Sequence, residues 1–343
     1  MLACLPALTG CRSIGPGTVA RDRSDYSSSI SESWKRQTLL NIVKLRYLDP
    51  PIFVDVGQIV AGYSFETALT AGGSFPETTG FGGTTATVGG SARFTDRPTI
   101  TYLPLTGNQF VKALMMPLPP ESVFFMIQSG WPADGVLLAA TASLNGLKNQ
   151  DTSISGVTPP SPEFLRMLEL FRKIQLSGAV ALRVKQDAQK QSASLLTFRT
   201  DDMDDATRAD IAEFRRLLRL DTDANEYELV FGSVATHNRE VAVLTRSILH
   251  IMATMAAQTE VPASDVAEGR ATPGIVAGDS NPRHLVRIRS SKDKPEDAAV
   301  AVAYRDHWFW IDDRDLASKR AFSFMLMLFT LADTGQKEAL PLI

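Results

Sequence analysis

Cysteine is almost missing from this sequence: only two occur among 343 residues, Cys4 and Cys11, and none follows position 11. The rest of the chain therefore cannot hold a disulfide framework, a catalytic thiolate or a cysteine-ligated metal. A charge excess is missing too, because 35 Lys and Arg stand against 38 Asp and Glu, giving a formal net charge of −3. Without a basic surface we expect no nucleic-acid partner. No apolar run reaches about 18 residues, so no membrane-spanning helix is predicted.

Local signatures of catalysis are missing as well. The sequence contains no Gly-Lys-Ser/Thr end of a phosphate-binding loop, no Gly-x-Ser-x-Gly elbow and no His-Glu-x-x-His pair. A histidine metal site would have to be assembled by the fold from four distant residues, which are His237, His250, His284 and His307. We therefore predict no catalytic residue, no cofactor or cofactor-binding residue and no metal ligand.

The densest polar cluster lies at residues 304–315. Asp306 and His307 are its candidates for a general base. Neighbouring residues of a strand point to opposite faces, so a strand would hold these two side chains apart. The aromatic residues of the cluster share one strand face and are predicted to pack under a helix; they are Tyr304, Trp308 and Trp310.

The acidic residues at the end of this cluster favour a helix start over a site. Asp312 or Asp313 is interpreted as the N-cap of a helix over residues 313–332. Asp315 would then lie in the first turn, where a negative charge complements the helix dipole. The aspartates are thus predicted to be structural.

The first eleven residues have the character of an export signal that ends at a cysteine. An apolar stretch, MLACLPA, precedes Leu8-Thr9-Gly10-Cys11. This run resembles the lipobox of bacterial lipoproteins, in which small residues precede a cysteine that is acylated and becomes the mature N-terminus. The resemblance implies that residues 1–10 are a signal-peptide remnant and that Cys11 is the lipid attachment site. No Lys or Arg precedes Cys11, so the basic part of a full signal is expected upstream of Met1.

The resemblance also implies a location. Several acyl chains hold a protein stably to a membrane, because each buried methylene contributes about 0.8 kcal/mol. Arg12 follows the cysteine in place of the aspartate associated with inner-membrane retention, which implies the periplasmic face of the outer membrane. The alternative is a cytoplasmic protein with a short, disordered apolar N-terminus.

Composition and periodicity divide the rest of the chain into four segments. Residues 11–30 are predicted to be the lipidated cysteine and a flexible tether. Residues 31–147 hold a helix, a long β-hairpin and further helices; residues 148–162 form a linker; residues 163–343 form a mixed second domain. Helices and strands interleave without a βαβ rhythm, which favours the α+β class.

Apolar spacing predicts the individual elements. A first helix is capped by Ser31 or Ser33 and ends at Asp49. The other predicted helices are 107–116, 121–129, 133–147, 163–175, 205–218, 239–256 and 313–332. The predicted strands are 59–71, 85–97, 179–185, 194–200, 227–232, 284–290 and 298–311.

The hairpin is the least ordinary segment. Its arms, 59–71 and 85–97, alternate small or apolar residues with polar ones. A strand that crosses a bilayer needs roughly 9 to 11 residues with one apolar face, so each arm is long enough. Several copies would have to close a ring, because the edges of one hairpin would be unpaired in lipid. The apolar side chains are small and no aromatic girdle is evident, which favours an ordinary sheet that covers a core.

Three functions remain open. The leading hypothesis is a lipid-anchored, non-enzymatic cell-envelope protein with a structural or assembly role, which contacts other envelope proteins or itself. The second is an envelope hydrolase or ligand-binding protein with a site built from dispersed residues; a cleft that joins Asp306 or His307 to another polar side chain would favour it. The third is an oligomeric outer-membrane ring or pore that uses the hairpin at 59–97.

Overall fold

The computed structural model describes residues 18–74, 85–153, 156–186, 192–199, 201, 203–271 and 285–332. Helices and strands are mixed along the chain, which confirms the predicted α+β class. The chain divides into two compact units. The first comprises Met1–Trp34 and Phe53–Leu105, and the second comprises Lys35–Ile52 and Thr106–Ile343.

The described helices are α1 (Val19–Arg46), α2 (Gly107–Phe110, followed by a π-helical turn at Val111–Met115), α3 (Pro120–Gln128), α4 (Ala133–Ala140), α5 (Pro162–Leu176), α6 (Asp205–Leu217), α7 (Ile248–Ala257), α8 (Ala263–Ala267) and α9 (Leu316–Ala332). The described strands are β1 (Val54–Val60), β2 (Tyr63–Ser74), β3 (Thr85–Asp96), β4 (Thr99–Pro104), β5 (Thr141–Leu144), β6 (Leu147–Lys148), β7 (Asp151–Ser153), β8 (Gly156–Thr158), β9 (Val180–Gln186), β10 (Ser192–Phe198), β11 (Glu226–Phe231), β12 (Glu240–Thr245), β13 (Arg289–Ser291), β14 (Ala298–Tyr304) and β15 (His307–Asp312).

The strands of the first unit form two antiparallel pairs in tandem. β1 pairs with β4, and β2 pairs with β3 over twelve residues of each strand. The two pairs are separated at Gly62, whose carbonyl accepts a hydrogen bond of 2.9 Å from the amide of Arg97. A bulge interrupts β1 at Gly57, where an added Cβ would lie only 2.6 Å from Cδ1 of Leu103. The predicted hairpin is therefore confirmed, and a second strand pair extends it at its base.

The core of the second unit is built on a six-stranded sheet in the order β6-β5-β12-β11-β10-β9. Its neighbours are antiparallel except for β11 and β12, which are parallel. Aromatic side chains join the sheet to α5 and α6: the ring of Phe214 lies 5.2 Å from Phe171 and 5.5 Å from Phe198. All three rings are buried. Burial of each such ring contributes about 1.5–3 kcal/mol, so this cluster is a main source of stability.

Two segments predicted as single helices each contain one helix and one strand in the structure. The helix predicted at 133–147 ends at Ala140 and continues as β5, and the one predicted at 239–256 begins as β12 and becomes helical only at Ile248. Both strands are internal to the sheet. Val241, Ala242 and Val243 are consecutive and all fully buried. A strand buried on both faces has a continuous apolar run, which spacing alone does not distinguish from a buried helix.

Helix α1 corrects the predicted cap at Ser31 or Ser33 and, from Val19 onward, the predicted tether at 11–30; residues 11–17 of that tether lie outside the described residues. The helix begins at Val19, and Leu48 beyond its end has a left-handed φ of 60°. Most side chains before position 34 are exposed, which explains why no apolar period marks this part of the helix. Once the buried part is helical, each further residue adds one hydrogen bond, and the helix extends toward the N-terminus.

The segment predicted as a linker, 148–162, lies within the second unit. Asn149 and Gln150 are buried in it. The side-chain amide of Asn149 donates hydrogen bonds to the carbonyls of Leu138 at 2.8 Å and Thr141 at 2.7 Å. Proline and polar residues therefore mark a tightly bonded connection here, not a domain boundary.

The strand predicted at 298–311 is a hairpin. β14 and β15 are joined by Arg305 and Asp306, both with positive φ, 46° and 62°. Such a two-residue turn needs positive φ at both positions and usually contains Asn or Gly. Asp306 is of a type that adopts positive φ, but without a glycine beside it the turn has only a weak sequence signal.

The last helix is capped by Asp315, not by Asp312 or Asp313. One carboxylate oxygen of Asp315 accepts a hydrogen bond of 3.0 Å from the backbone amide of Ser318. The other accepts one of 2.7 Å from the hydroxyl of Ser318. Burial acts to raise the pKa of Asp315, but these hydrogen bonds outweigh it and hold the pKa below its usual value. The negative charge at the helix start is thus stabilising.

We expect Asp315→Ala to lower the free energy of unfolding by about 1 kcal/mol, the usual cost of a lost cap. Asp315→Asn should retain most of the capping, and Asp313→Ala is the matched control, since Asp313 pairs at the surface with Lys319. Because the pKa of Asp315 is lower in the folded state, the benefit of its charge is present above about pH 4 and fades as the pH falls through the folded-state value. Urea unfolding at pH 7 and pH 3 measures both effects. An equal cost for Asp313→Ala would contradict the assignment.

Candidate functional site

Strands β2 and β3, residues 63–74 and 85–96, are called the ribbon. Residues opposite each other in its register lie on the same face, and the faces alternate along each strand. One face is apolar apart from its base and Thr67, with positions Tyr63, Phe65, Thr67, Leu69, Ala71, Gly73, Ala86, Val88, Gly90, Ala92, Phe94 and Asp96. The other face is polar, with positions Ser64, Glu66, Ala68, Thr70, Gly72, Ser74, Thr85, Thr87, Gly89, Ser91, Arg93 and Thr95. The ribbon is therefore amphipathic along its whole length.

The apolar face is open to solvent. Leu69 is 80% exposed, Val88 75% and Phe94 49%. Single exposed apolar side chains are ordinary, whereas a continuous apolar surface marks a site of interaction. The expectation of a sheet that covers a core is therefore wrong for this segment: every residue at 66–72 and 88–94 is exposed.

The edges of the ribbon are open as well. Among the described strands, β2 and β3 pair only with each other. One side of each strand thus carries backbone groups without a strand partner, and such edges are templates for pairing with another chain. An isolated two-stranded ribbon is marginally stable in water. Pairing with further strands would therefore stabilise the ribbon.

The base of the ribbon forms an open cavity of about 440 Å³ with the start of α1. Aromatic and acidic side chains line this cavity. The ring of Tyr63 stacks on that of Phe94 at 6.2 Å, and Asp22 contacts the hydroxyl of Tyr63. The hydrogen bond to Asp22 raises the pKa of Tyr63 to about 12. This contact fixes the ribbon base to α1 within the first unit.

Asp306 and His307, the candidates for a general base, do not form a catalytic pair. Asp306 lies in the turn between β14 and β15, and His307 is the first residue of β15. The nearest polar contact of the His307 ring is from Nδ1 to the carbonyl of Arg305, at 3.2 Å. No hydrogen bond joins Asp306 to His307 in the described part of the chain. This turn therefore does not supply the cleft that a hydrolase or ligand-binding role would need.

The aromatic residues of β15 pack differently from the prediction. The buried face of the strand carries Phe309 and Ile311, so Trp308 and Trp310 point the other way. Cations lie over their rings: Lys294 is 5.5 Å from the ring centre of Trp308, and the Arg289 guanidinium is 5.3 Å from that of Trp310.

Tyr304, the third aromatic residue of the cluster, contacts the end of α1. Its ring lies 5.4 Å from that of Tyr47, and its hydroxyl donates a hydrogen bond to Asp49. Arg305 covers the ring of Tyr47 at 4.7 Å, and the hydroxyl of Tyr47 donates to Asp265 at 2.6 Å. These contacts join three elements of the second unit. Tyr304 and Arg305 therefore have a structural role.

A buried arginine is the polar feature that the sequence does not predict. Arg246 is 2% exposed and follows β12 directly. Its guanidinium donates to the carbonyls of Leu138 at 3.1 Å and Ala139 at 3.3 Å, and also to that of Gln150. Burial lowers the pKa of Arg246 to about 10, so the group stays charged at neutral pH. No local pattern marks it, since it lies inside an apolar run.

His250 lies beside this arginine. Its Nε2 is 3.6 Å from a carboxylate oxygen of Asp151. Burial lowers the pKa of His250, and the charge of Arg246 lowers it further. The imidazole is therefore neutral at pH 7. Because the guanidinium hydrogen bonds all go to backbone carbonyls, the arrangement connects α4, β7 and β12 and is interpreted as structural.

The remaining candidates have no supporting geometry. Within the described ranges, no three His, Cys, Asp or Glu side chains are grouped closely enough to hold a metal ion. None of the described helices combines the length and apolar character needed to cross a membrane. The predicted lipid attachment site, Cys11, and the histidine His284 both lie outside the described residues.

Comparison of the chain with protein-family models, with curated proteins and with solved structures gave no match. The geometry of the ribbon is therefore the main indication of function.

Proposed function

We propose that this chain is a lipid-anchored assembly protein of the bacterial cell envelope, which associates with copies of itself through the ribbon. The observation that supports this proposal is the amphipathic ribbon with two open edges. The second unit has its own buried core, so the ribbon is not needed to complete it. Among the described strands no third strand pairs with this long and exposed ribbon, which favours a use outside the monomer.

The charges of the ribbon favour a second copy as the partner. Glu66 of β2 lies opposite Arg93 of β3 in the register. If β2 of one copy pairs with β3 of the next in this same register, Glu66 of each copy meets Arg93 of its neighbour. Opposite charges at facing positions stabilise a strand pair, and like charges destabilise it, each by roughly 0.2–1 kcal/mol. The ribbon is thus self-complementary from edge to edge.

A lipid anchor at Cys11 would assist this association. Anchored copies share one surface, which raises their effective concentration relative to copies in solution. The weak contribution of each strand pair is then sufficient for assembly. The proposed location remains the periplasmic face of the outer membrane.

Co-expression of two copies with different C-terminal affinity tags tests the assembly. We expect purification by one tag to recover the other copy. Glu66→Arg or Arg93→Glu alone should reduce this recovery several-fold, and the double variant should restore it because opposite charges face each other again. Copies of the wild-type chain that purify separately would overturn the proposal.

Lipidation is tested separately by metabolic labelling with a fatty acid. We expect the protein to carry the label, and Cys11→Ala to abolish it, while Cys4→Ala leaves it unchanged because Cys4 precedes the predicted cleavage point. Label that survives Cys11→Ala would contradict the anchor.

A further inference from the structure

We infer that the apolar face of the assembled ribbons contacts lipid acyl chains, so that the ribbons of several copies cross a bilayer together as a ring or pore. This inference rests on the proposed self-assembly and adds the lipid as the occupant of the apolar face. Five features of the ribbon support it: its length, the distribution of charge, the position of its aromatic residues, the small residues of its apolar face and the need to pair its edges.

The length matches the bilayer. Each strand has twelve residues, which at about 3.3 Å per residue gives roughly 40 Å. A strand that crosses a bilayer needs roughly 9 to 11 residues. Each strand of the ribbon is therefore long enough to cross the hydrocarbon layer, which is about 30 Å thick.

The charges are confined to the polar face and to the base. On the apolar face the only ionisable positions are Tyr63 and Asp96, which pair at the base of the ribbon. The polar face has Glu66 and Arg93, directly opposite each other. Membrane-crossing strands alternate in this way between lipid-facing apolar residues and polar residues that face water.

Aromatic rings lie where the apolar face ends. Tyr63 and Phe94 stack at the base of the ribbon. Tyrosine is enriched at the level of the lipid headgroups, because its ring is apolar and its hydroxyl is polar. The structure thus supplies an aromatic end that the alternation of the sequence alone does not reveal.

The small residues of the apolar face favour lipid over a protein partner. Protein interfaces depend on a few large anchors that fill pockets. Along β3 beyond Phe94, the described positions of the face are Ala92, Gly90 and Val88, which form a shallow surface beside the exposed Leu69 of β2. Fluid acyl chains adapt to such a surface. The ribbons must then pair edge to edge into a closed ring, because unpaired backbone groups are costly in hydrocarbon.

Site-specific labelling tests the lipid contact. A polarity-sensitive fluorophore is attached to Leu69→Cys or Val88→Cys on the apolar face, and to Thr70→Cys or Ser91→Cys on the polar face. Each full-length protein is reconstituted into phosphatidylcholine–phosphatidylglycerol vesicles with or without nitroxide-labelled acyl chains. The unsubstituted chain gives the background from its own cysteines, and co-purification of tagged copies shows that each labelled variant still assembles.

We expect the acyl nitroxide to quench labels at 69 and 88, and aqueous iodide to quench labels at 70 and 91. Leu69→Arg should lower the inserted fraction, read from the label at 88, by at least about 30-fold, whereas Thr70→Arg on the polar face should change it little. Iodide quenching at all four positions in copies that still co-purify would overturn the lipid contact and leave the assembly intact. Labels at 69 and 88 shielded from both quenchers would overturn it in favour of a protein partner. Iodide quenching in copies that do not co-purify would reject both proposals.

Discussion

Removal of the ribbon should convert the assembled protein into monomers without unfolding the second unit. The variant replaces residues 64–95 with Asn-Gly, which joins Tyr63 to Asp96, a facing pair at the ribbon base. Asn-Gly suits a two-residue turn between antiparallel strands. The removed side chains are exposed wherever they are described, apart from the half-buried Thr95, so little buried apolar area is lost. We expect a sedimentation coefficient of a monomer and a melting temperature within about 3 °C of the wild type.

The matched control shortens the connection but keeps both strands. It replaces residues 75–84 with Asn-Gly, so that Ser74 and Thr85 remain a facing pair. This variant should sediment like the wild type. A ribbonless variant that still assembles would show that the ribbon is not the assembly surface. One that unfolds would show that the second unit needs the ribbon for its stability.

Truncation of the buried arginine should have the largest effect on stability. Arg246→Ala leaves the carbonyls of Leu138, Ala139 and Gln150 without their donor and opens a cavity, for an expected loss of about 3–5 kcal/mol. Arg246→Met fills the volume and should recover part of the loss. Urea unfolding measures both.

Arg239→Ala is the control for this substitution. Arg239 bonds Asp221 at 3.0 Å with a largely exposed side chain, and such pairs contribute at most about 1 kcal/mol. If Arg246→Ala cost no more than Arg239→Ala, the buried arginine would not be the connection that its hydrogen bonds suggest.

The sequence predicts the strongly periodic elements closely. Helix α5 was expected at 163–175 and spans Pro162–Leu176, and α6 was expected at 205–218 and spans Asp205–Leu217. Both helices have one apolar face and an N-cap residue, which is Ser161 in α5 and Asp204 in α6. Each cap side chain accepts a hydrogen bond from the backbone amide three residues later. Periodicity and capping agree at these places, so local information is sufficient.

Elements whose identity depends on their surroundings are predicted poorly. The run around Val241–Val243 is a strand because it lies between β11 and β5, which no local pattern reveals. The start of α1 has no apolar period because it is largely exposed. The cap is assigned to the wrong aspartate because three acidic residues, Asp312, Asp313 and Asp315, lie within four positions.

The candidate site was half predictable. Alternation in the two arms indicates a hairpin with two distinct faces. Which residues face each other depends on the register, and a shift by one residue would mix the apolar and polar sets. Whether the apolar face covers a core depends on the rest of the fold. Small residues such as Ala71 and Ala92 fit either arrangement, so the exposure of the ribbon emerges only from the structure.

Hydrogen–deuterium exchange of the ribbon in detergent-extracted protein tests the central claim most directly. In a lone ribbon, the amides along both edges are open to water, whereas in an edge-to-edge assembly they are hydrogen-bonded to a neighbour. We predict that peptides from Tyr63–Ser74 and Thr85–Asp96 exchange as slowly as those from the buried strand β12. Ribbon peptides that exchange as fast as an unstructured chain, while β12 stays protected, would contradict the account.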